Sequence, residues 1–298
     1  MEYKKAGHYA EITLDEEHAH VSLIDFLGYF YLSKKNIHKL RMSHDVYIND
    51  KNIKQNFKIV LQPNDKIKLP LFIDEAIDFI PQTIPLNIIY EDDFSLVINK
   101  QKEIEIHPEN KTGLNTLVNG VAHYYKQTKQ NHRIRYIHRL DRDTTGIIVF
   151  AKNYFIHNIY DFLLTEKKIK RYYLALTTGN FPQEKGYIDK KIGRDRHNRK
   201  KYLISKTGLI AKTFYKVIKH YPDYTLVELE LFTGRTHQIR VHLNSLGCPI
   251  LGDNLYGNSS PLINRQALHA YKIELIHPFT LKPFTITAKP PNDFEKLL

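Results

Sequence analysis

Residues 136–146 read Tyr136-Ile137-His138-Arg139-Leu140-Asp141-Arg142-Asp143-Thr144-Thr145-Gly146, and the apolar run Ile147-Ile148-Val149-Phe150-Ala151 follows at once. A run this short and uninterrupted predicts a buried strand. A charge-dense loop feeding a buried strand is costly unless its charges are paired. Asp141 lies between Arg139 and Arg142, which predicts a carboxylate that stays ionised in a partly buried site. Such a group suits attack on, or stabilisation of, an electron-poor carbon. Taken from these residues alone, a structural Asp–Arg loop pair is the simpler reading.

Composition narrows the function classes. At 298 residues the chain is long enough for one large domain, or a large one with a small companion. Hydrophobic residues at 42% and charged residues at 26% read as soluble and globular. No apolar run approaches the roughly 20 residues of a bilayer span, and the first residues lack the apolar core of a signal peptide. Cys248 is the only cysteine, which excludes an intramolecular disulfide and fits a reducing compartment, so a cytoplasmic location is expected. The net charge of +12 points to an anionic partner, nucleic acid ahead of a membrane surface.

Residues 20–70 read as a separate small unit. Val21 to Leu27 has helical apolar spacing. Ser33 is placed to cap a second helix in which Ile37 and Leu40 share a face, with Lys34, Lys35, His38, Lys39 and Arg41 on the remaining surface. Val46 and Ile48 alternate, Asn49-Asp50 turns the chain, and Pro63-Asn64-Asp65 precedes the alternating Lys66-Ile67-Lys68-Leu69. Pro81 and Pro85 stiffen a linker, and the boundary is set near residue 82.

Beyond it, Ile88-Ile89-Tyr90 and Leu96-Val97-Ile98 flank a turn and predict a hairpin. Leu114, Leu117, Val118, Val121 and Tyr125 mark an amphipathic helix, and Phe155, Ile159, Phe162 and Leu163 mark another. Lys170 to Leu176 is a β-prone segment containing Tyr173, which as one of 20 tyrosines reads equally as a core aromatic. Residues 190–206 hold eight Lys or Arg around Gly193 and Asn198. That composition predicts an exposed loop or hairpin, either merely solvated or tracking phosphates through Arg194, Arg196, Arg199 and Lys200. Alternation over residues 226–231 predicts a strand running into Thr233-Gly234-Arg235-Thr236-His237-Gln238-Ile239-Arg240-Val241-His242-Leu243, a helix start that should end by Gly247. The histidine spacings match no common zinc pattern, so no metal site is expected.

The run HRLDRDTTG resembles the HRLD-x-x-TSG signature of the pseudouridine synthases that modify ribosomal and transfer RNA, with Thr145 in place of the usual Ser. Further matches come in family order. Arg171 to Ala175 resembles K-x-Y-x-A with Tyr173 as its tyrosine, residues 233–243 match the third motif, and Leu268-His269-Ala270 with His277-Pro278 match the last. The likeness covers roughly residues 85 to 290. Two departures stand out: Lys100-Gln101-Lys102-Glu103 replaces Lys-Pro-x-Gly, and Cys248 replaces a usual His. The N-terminal unit is similar to the small RNA-binding module named after a small-subunit ribosomal protein.

This resemblance implies an α+β fold with a mixed, largely antiparallel sheet and flanking helices. It implies residues 1–82 as a small α/β RNA-binding module with linker, and residues 83–298 as the catalytic domain. The implied activity is cofactor-free isomerisation of a flipped-out uridine in structured RNA by a monomer, with no membrane partner. Asp141 would act on the anomeric carbon, Arg240 would pair with it, Arg139 would fill the space the base leaves, and Tyr173 would stack on the uracil and assist proton transfer. Leu268, Arg235 and His237 would contact the substrate. Two competitors are a non-catalytic RNA-binding protein on the same scaffold, and a glycoside or nucleotide hydrolase using Asp141 with Asp143. The hydrolase needs two carboxylates about 5–10 Å apart.

Overall fold

The computed structural model describes residues 2–110 and 112–298. A five-stranded antiparallel sheet comes first: β1 (Tyr3–Ala6), β2 (Tyr9–Thr13), β3 (Tyr47–Ile48), β4 (Lys51–Asn52) and β5 (Lys66–Leu69), in the order β1-β2-β5-β3-β4. Helices α1 (Leu23–Tyr29) and α2 (Lys34–Ser43) lie between β2 and β3 in sequence. Their starts are dictated locally: Ser22 and Ser33 accept from the amides of Asp25 and Asn36, filling donors that a helix start leaves open. Asn49 and Asp50 both take positive φ, 50° and 62°, the geometry of a two-residue hairpin turn. Strands β1 and β2 join this sheet, so it takes in residues ahead of the 20–70 stretch whose patterning stood out, within the 1–82 span. Their Lys4, Lys5 and Glu11 break the apolar alternation that would have announced them.

Residues 70–87 carry no helix or strand. The main sheet follows, nine strands in the order β10-β13-β14-β9-β15-β8-β7-β6 with β16 also on β15. It contains β6 (Ile88–Glu91), β7 (Ser95–Lys100), β8 (Thr145–Ala151), β9 (Lys170–Thr177), β10 (Lys185–Asp189), β13 (Lys212–His220), β14 (Thr225–Leu231), β15 (Leu268–Ile276) and β16 (Pro283–Thr287). A separate ribbon pairs β11 (Ile192–Arg194) with β12 (Tyr202–Ile204). Among the described strands the one parallel pairing is β8 with β15, so the sheet is mixed and largely antiparallel, as expected. Gly146 makes that crossing possible: its φ is +114°, and a Cβ there would meet Ala270 O at 2.3 Å.

Strand β8 shows why its sequence is continuously apolar. Ile147, Val149 and Ala151 face one core, Ile148 and Phe150 the other, since successive side chains alternate between faces. The first core also holds the N-terminal residues Phe26, Phe30 and Leu71 with α4 (Tyr154–Thr165), so the small sheet and the large one share packing. The second lies under α3 (Leu117–Gln127) and α5 (Gln238–Asn244). Helix α3 is shorter than the apolar spacing suggested. Thr116 is its cap, so Leu114 falls outside it and is 49% exposed. Phe162 likewise leaves the core face of α4 and stacks on Tyr31 at 5.8 Å. Helix α5 stops at Asn244, three residues before Gly247. The chain closes with α6 (Asn292–Glu295). Among the described residues no helix is long and apolar enough to cross a membrane.

Candidate active site

The loop 136–144 enters β8 at the middle of the main sheet, and its backbone is tied down from inside. Thr144 N donates to Asp141 O at 3.1 Å, closing a turn. Lys100, buried at the end of β7, donates from Nζ to the carbonyls of Gln101, Ile104 and Arg142 at 2.8, 3.0 and 2.7 Å. Three main-chain acceptors thus gather the β7 exit and the Asp141 loop around one ammonium, in the segment that lacks the Pro-x-Gly pattern. Burial drives Lys100 down to about 7, against the pull of Asp143, Glu105 and Asp141. Thr145 Oγ1 meets His269 Nδ1 at 2.8 Å, so the hydroxyl that replaces Ser is used. His138 is buried, and desolvation with the nearby Arg171 charge pushes its ring down to about 3, so it is neutral.

Asp141 faces Arg240 across the cleft, with Nη1 3.2 Å from Oδ2. The adjacent Arg139 and Arg142 are exposed and form no ion pair with it within 4 Å, so the flanking arginines are not its counter-charge. Arg142 lies in the turn that Thr144 closes and both arginines face solvent, whereas α5 presents Arg240 directly to the carboxylate. Arg240 is itself held by Asp253, through Nε–Oδ2 at 2.7 Å and Nη2–Oδ1 at 2.8 Å. Burial opposes the Arg240 charge, and the bonds to Asp253 with the charges of Asp253 and Asp141 outweigh it, holding the guanidinium above its ordinary value. Tyr256 lies under the same guanidinium, 5.1 Å from ring centre to Cζ.

His237 takes a left-handed conformation (φ 55°) as the cap of α5. Its Nδ1 is 2.9 Å from Tyr256 Oη, which already accepts the Tyr202 amide at 2.8 Å. Its Nε2 lies 3.9 Å from Asp141 Oδ2. Desolvation lowers the His237 value despite the Asp141 charge. Gln238 fixes the preceding turn: its Oε1 accepts from the Thr233 hydroxyl and the Arg235 amide, and its Nε2 donates to Lys212 O.

Arg139, Asp141, Tyr173, Arg235, His237, Arg240 and Leu268 all line one cleft of about 50 Å³. Arg139 and Arg235 are its exposed members. Asp143 is not among the lining residues, which leaves the two-carboxylate hydrolase without its second group. Tyr173 is buried, and desolvation, reinforced by Asp141 and countered by Arg171, raises its hydroxyl above the ordinary value. Arg194, Arg196, Arg199 and Lys200 lie elsewhere, all exposed on the β11–β12 ribbon, where Arg194 Nε and Nη2 donate to Arg199 O at 3.2 Å. The ribbon touches the site through Tyr202 and Tyr256. The roles of Asp253, Tyr256 and Lys100 escaped the sequence reading, because each depends on groups that only the fold brings beside it: Arg240 for Asp253, His237 and the Tyr202 amide for Tyr256, and the Arg142 carbonyl for Lys100.

Comparison with known proteins agrees with this geometry. The family model for RNA pseudouridylate synthase matches residues 94–245, and that for the RluD ribosomal pseudouridine synthase N-terminal domain matches residues 10–67. An uncharacterized RNA pseudouridine synthase of Bacillus subtilis (strain 168), YhcT, is 39% identical over 98% of this chain and 97% of its own. Ribosomal large subunit pseudouridine synthase D of Haemophilus ducreyi is 36% identical over 85% of this chain and 84% of its own. The solved structure of human RNA pseudouridylate synthase domain containing 1 superimposes with a TM-score of 0.58 at 26% identity, covering 70% of this chain and 84% of that one. With the loop, the arginine and the cleft assembled in family order, and relatives matched along nearly its whole length, this chain belongs to the RNA pseudouridine synthases, enzymes that isomerise uridine in RNA to pseudouridine.

Proposed function

We propose that this enzyme modifies specific uridines of structured ribosomal RNA, with Asp141 as the group that acts on the sugar. The observation that carries this is the Asp141–Arg240 contact at 3.2 Å inside the cleft; the naming of relatives as ribosomal large subunit synthases supports the RNA class. Transfer RNA is the other substrate class open to the fold.

In the proposed sequence the target uridine leaves its stack. The bond from its base nitrogen to the anomeric carbon breaks, with the electron pair staying on the uracil. The positive charge left on the sugar is stabilised or trapped by an Asp141 oxygen, as a carboxylate does in glycosidases. The uracil rotates, its ring carbon C5 bonds to the anomeric carbon as the carboxylate departs, and the C5 proton is lost while the freed nitrogen gains one. Nothing is oxidised or consumed, so no cofactor enters the balance. Arg240 keeps the carboxylate charged and oriented. Tyr173 enters protonated, because burial opposes its phenolate, and stacks on the base. Arg139, exposed on the lining of the cleft, would fill the space that the base vacates in the stack. Arg235, His237 and Leu268 line the base's position.

Residues 1–82 would serve as an RNA-binding module with linker beside a catalytic domain at 83–298, with Lys34, Lys35 and Lys39 toward RNA. The enzyme would act as a monomer in the cytoplasm. The decisive experiment compares pseudouridine maps of total RNA from cells with the wild-type gene, without it, and with Asp141→Asn. The expected result is loss of the same ribosomal positions in the last two, with RNA affinity of the purified variant within a few-fold. Pseudouridine formed by a purified Asn variant free of contaminating enzyme would sink the assignment.

A further inference from the structure

Behind Asp141, the carbonyls of two consecutive residues accept from two buried cations. Lys100 takes Arg142 O at 2.7 Å, and Arg265 Nη1 takes Asp143 O at 3.2 Å. Arg265 stands just before β15 and is only 4% exposed. Its Nε and Nη2 hold both oxygens of Asp293 at 2.9 Å each. The same Nη1 lies 3.1 Å from Gln266 O and 3.5 Å from Leu268 O. Asp293 belongs to α6, its side chain is 26% exposed, and it also receives Lys102 Nζ at 3.5 Å.

A guanidinium is a rigid plane, so a carboxylate gripping two of its nitrogens sets the direction of the third. Here the third nitrogen is aimed at the loop carrying Asp141 and at the start of the strand carrying Leu268. We infer that Arg265, oriented by Asp293, is a positioning residue for the reaction: it holds the Asp141 loop against the Leu268 strand at the spacing the cleft needs. Two neighbouring contacts reinforce the grip, Gln266 Nε2 to Thr144 Oγ1 at 3.3 Å and His269 Nδ1 to Thr145 Oγ1 at 2.8 Å. Residues 265–269 thus hold 143–145 at three points. The C-terminal helix reaches the chemistry through one side chain, although it contributes no residue to the cleft lining. The inference rests on Asp141 being the reactive group.

The test uses Arg265→Lys, which keeps the charge and loses the fork, Asp293→Asn, which keeps the shape and loses the charge, and the double variant. Phe294→Leu is the control: it weakens packing of the same helix beside His269, 6.4 Å between ring centres, and leaves the Arg265 guanidinium and its bonds to Asp293 and Asp143 in place. Turnover is measured on large-subunit ribosomal RNA transcribed in vitro, and amide exchange is followed at Thr144, whose N–H closes the loop on Asp141 O. We expect kcat to fall about 10- to 100-fold in both single variants, the cost of a misplaced reactive group, with KM changed by less than about 2-fold. The double variant should be no worse than the poorer single, because the pair acts as a unit. Thr144 exchange should quicken by about 10-fold in each, while Phe294→Leu at a matched loss of melting temperature keeps kcat and loop exchange near wild type. Unchanged loop exchange in Asp293→Asn would overturn the inference, as would a Phe294→Leu variant that loses as much kcat. A wild-type enzyme inactive on this RNA would count against the proposed substrate instead, and the exchange data would still decide the role of Arg265.

Discussion

Asp253 grips Arg240 with both carboxylate oxygens, at 2.7 and 2.8 Å, and is itself fully buried. The arginine that faces Asp141 is therefore aimed by a second carboxylate on the far side of its guanidinium. Removing one partner of a buried pair leaves an uncompensated charge and costs about 3–5 kcal/mol. Asp253→Ala should lose stability in that range by urea denaturation. Asp253→Asn, which keeps two acceptor or donor positions, should lose less stability yet still depress kcat, because Arg240 is free to tilt toward Asp141. Full kcat in a folded Asp253→Asn enzyme would show that Asp141 orients Arg240 unaided.

Tyr173 offers a separation of ring from hydroxyl. Stacking of a base on an aromatic contributes about 1–3 kcal/mol, whereas proton transfer needs the phenol. Tyr173→Phe should lower turnover with RNA binding intact, and Tyr173→Leu should lower both. If Phe and Leu variants alike match wild type in single-turnover assays, Tyr173 is only a core residue between β14 and β15.

The β11–β12 ribbon carries four exposed cations that no cleft residue needs. Each phosphate contact on a flexible strand contributes a slope of roughly −0.7 in log affinity against log salt. Replacing Arg194, Arg196, Arg199 and Lys200 with neutral residues should flatten the slope by about 1–3 if half or more of them touch phosphate. Turnover at saturating RNA should stay near wild type. A salt slope identical to wild type would move phosphate contact to α2 and its Lys34, Lys35 and Lys39.

Lys100 should make stability depend on pH in an identifiable window. Burial lowers its folded value to about 7, while in the unfolded chain an ordinary lysine keeps its proton to about 10.4. Between these values the unfolded state binds the extra proton, so this group makes stability rise with pH there. Below about pH 7 both states are protonated and its cost is constant. Lys100→Met lacks the term, so the melting temperature of wild type relative to the variant should climb from pH 7 to pH 9. A difference that stays flat across that range would mean that the ammonium persists inside the protein.

Much of the architecture was legible because local rules carried it. Ser33 announced α2, the Asn49-Asp50 pair announced a turn, and the unbroken 147–151 run announced a strand buried on both faces. What escaped had diluted signals. Strands β1 and β2 bury only Ala10 and Ile12 fully among charged neighbours, and Leu114 matched the helical spacing of α3 but fell before the Thr116 cap.

The sequence by itself determined which side chains were available and in what order: the HRLD loop, Tyr173, the Thr233–Leu243 motif and Leu268. Short-range spacing and motif order are properties of the chain, so they survive without coordinates. Which charge meets which was decided by tertiary structure. Asp141 has two arginines within three residues, yet its partner is Arg240, 99 residues away, brought there because β8, β15 and α5 converge. The same convergence sets Asp253 behind Arg240 and Arg265 behind Asp143. Ion pairing depends on separations of a few ångströms and on which water is excluded, and those distances exist only once the sheet has closed.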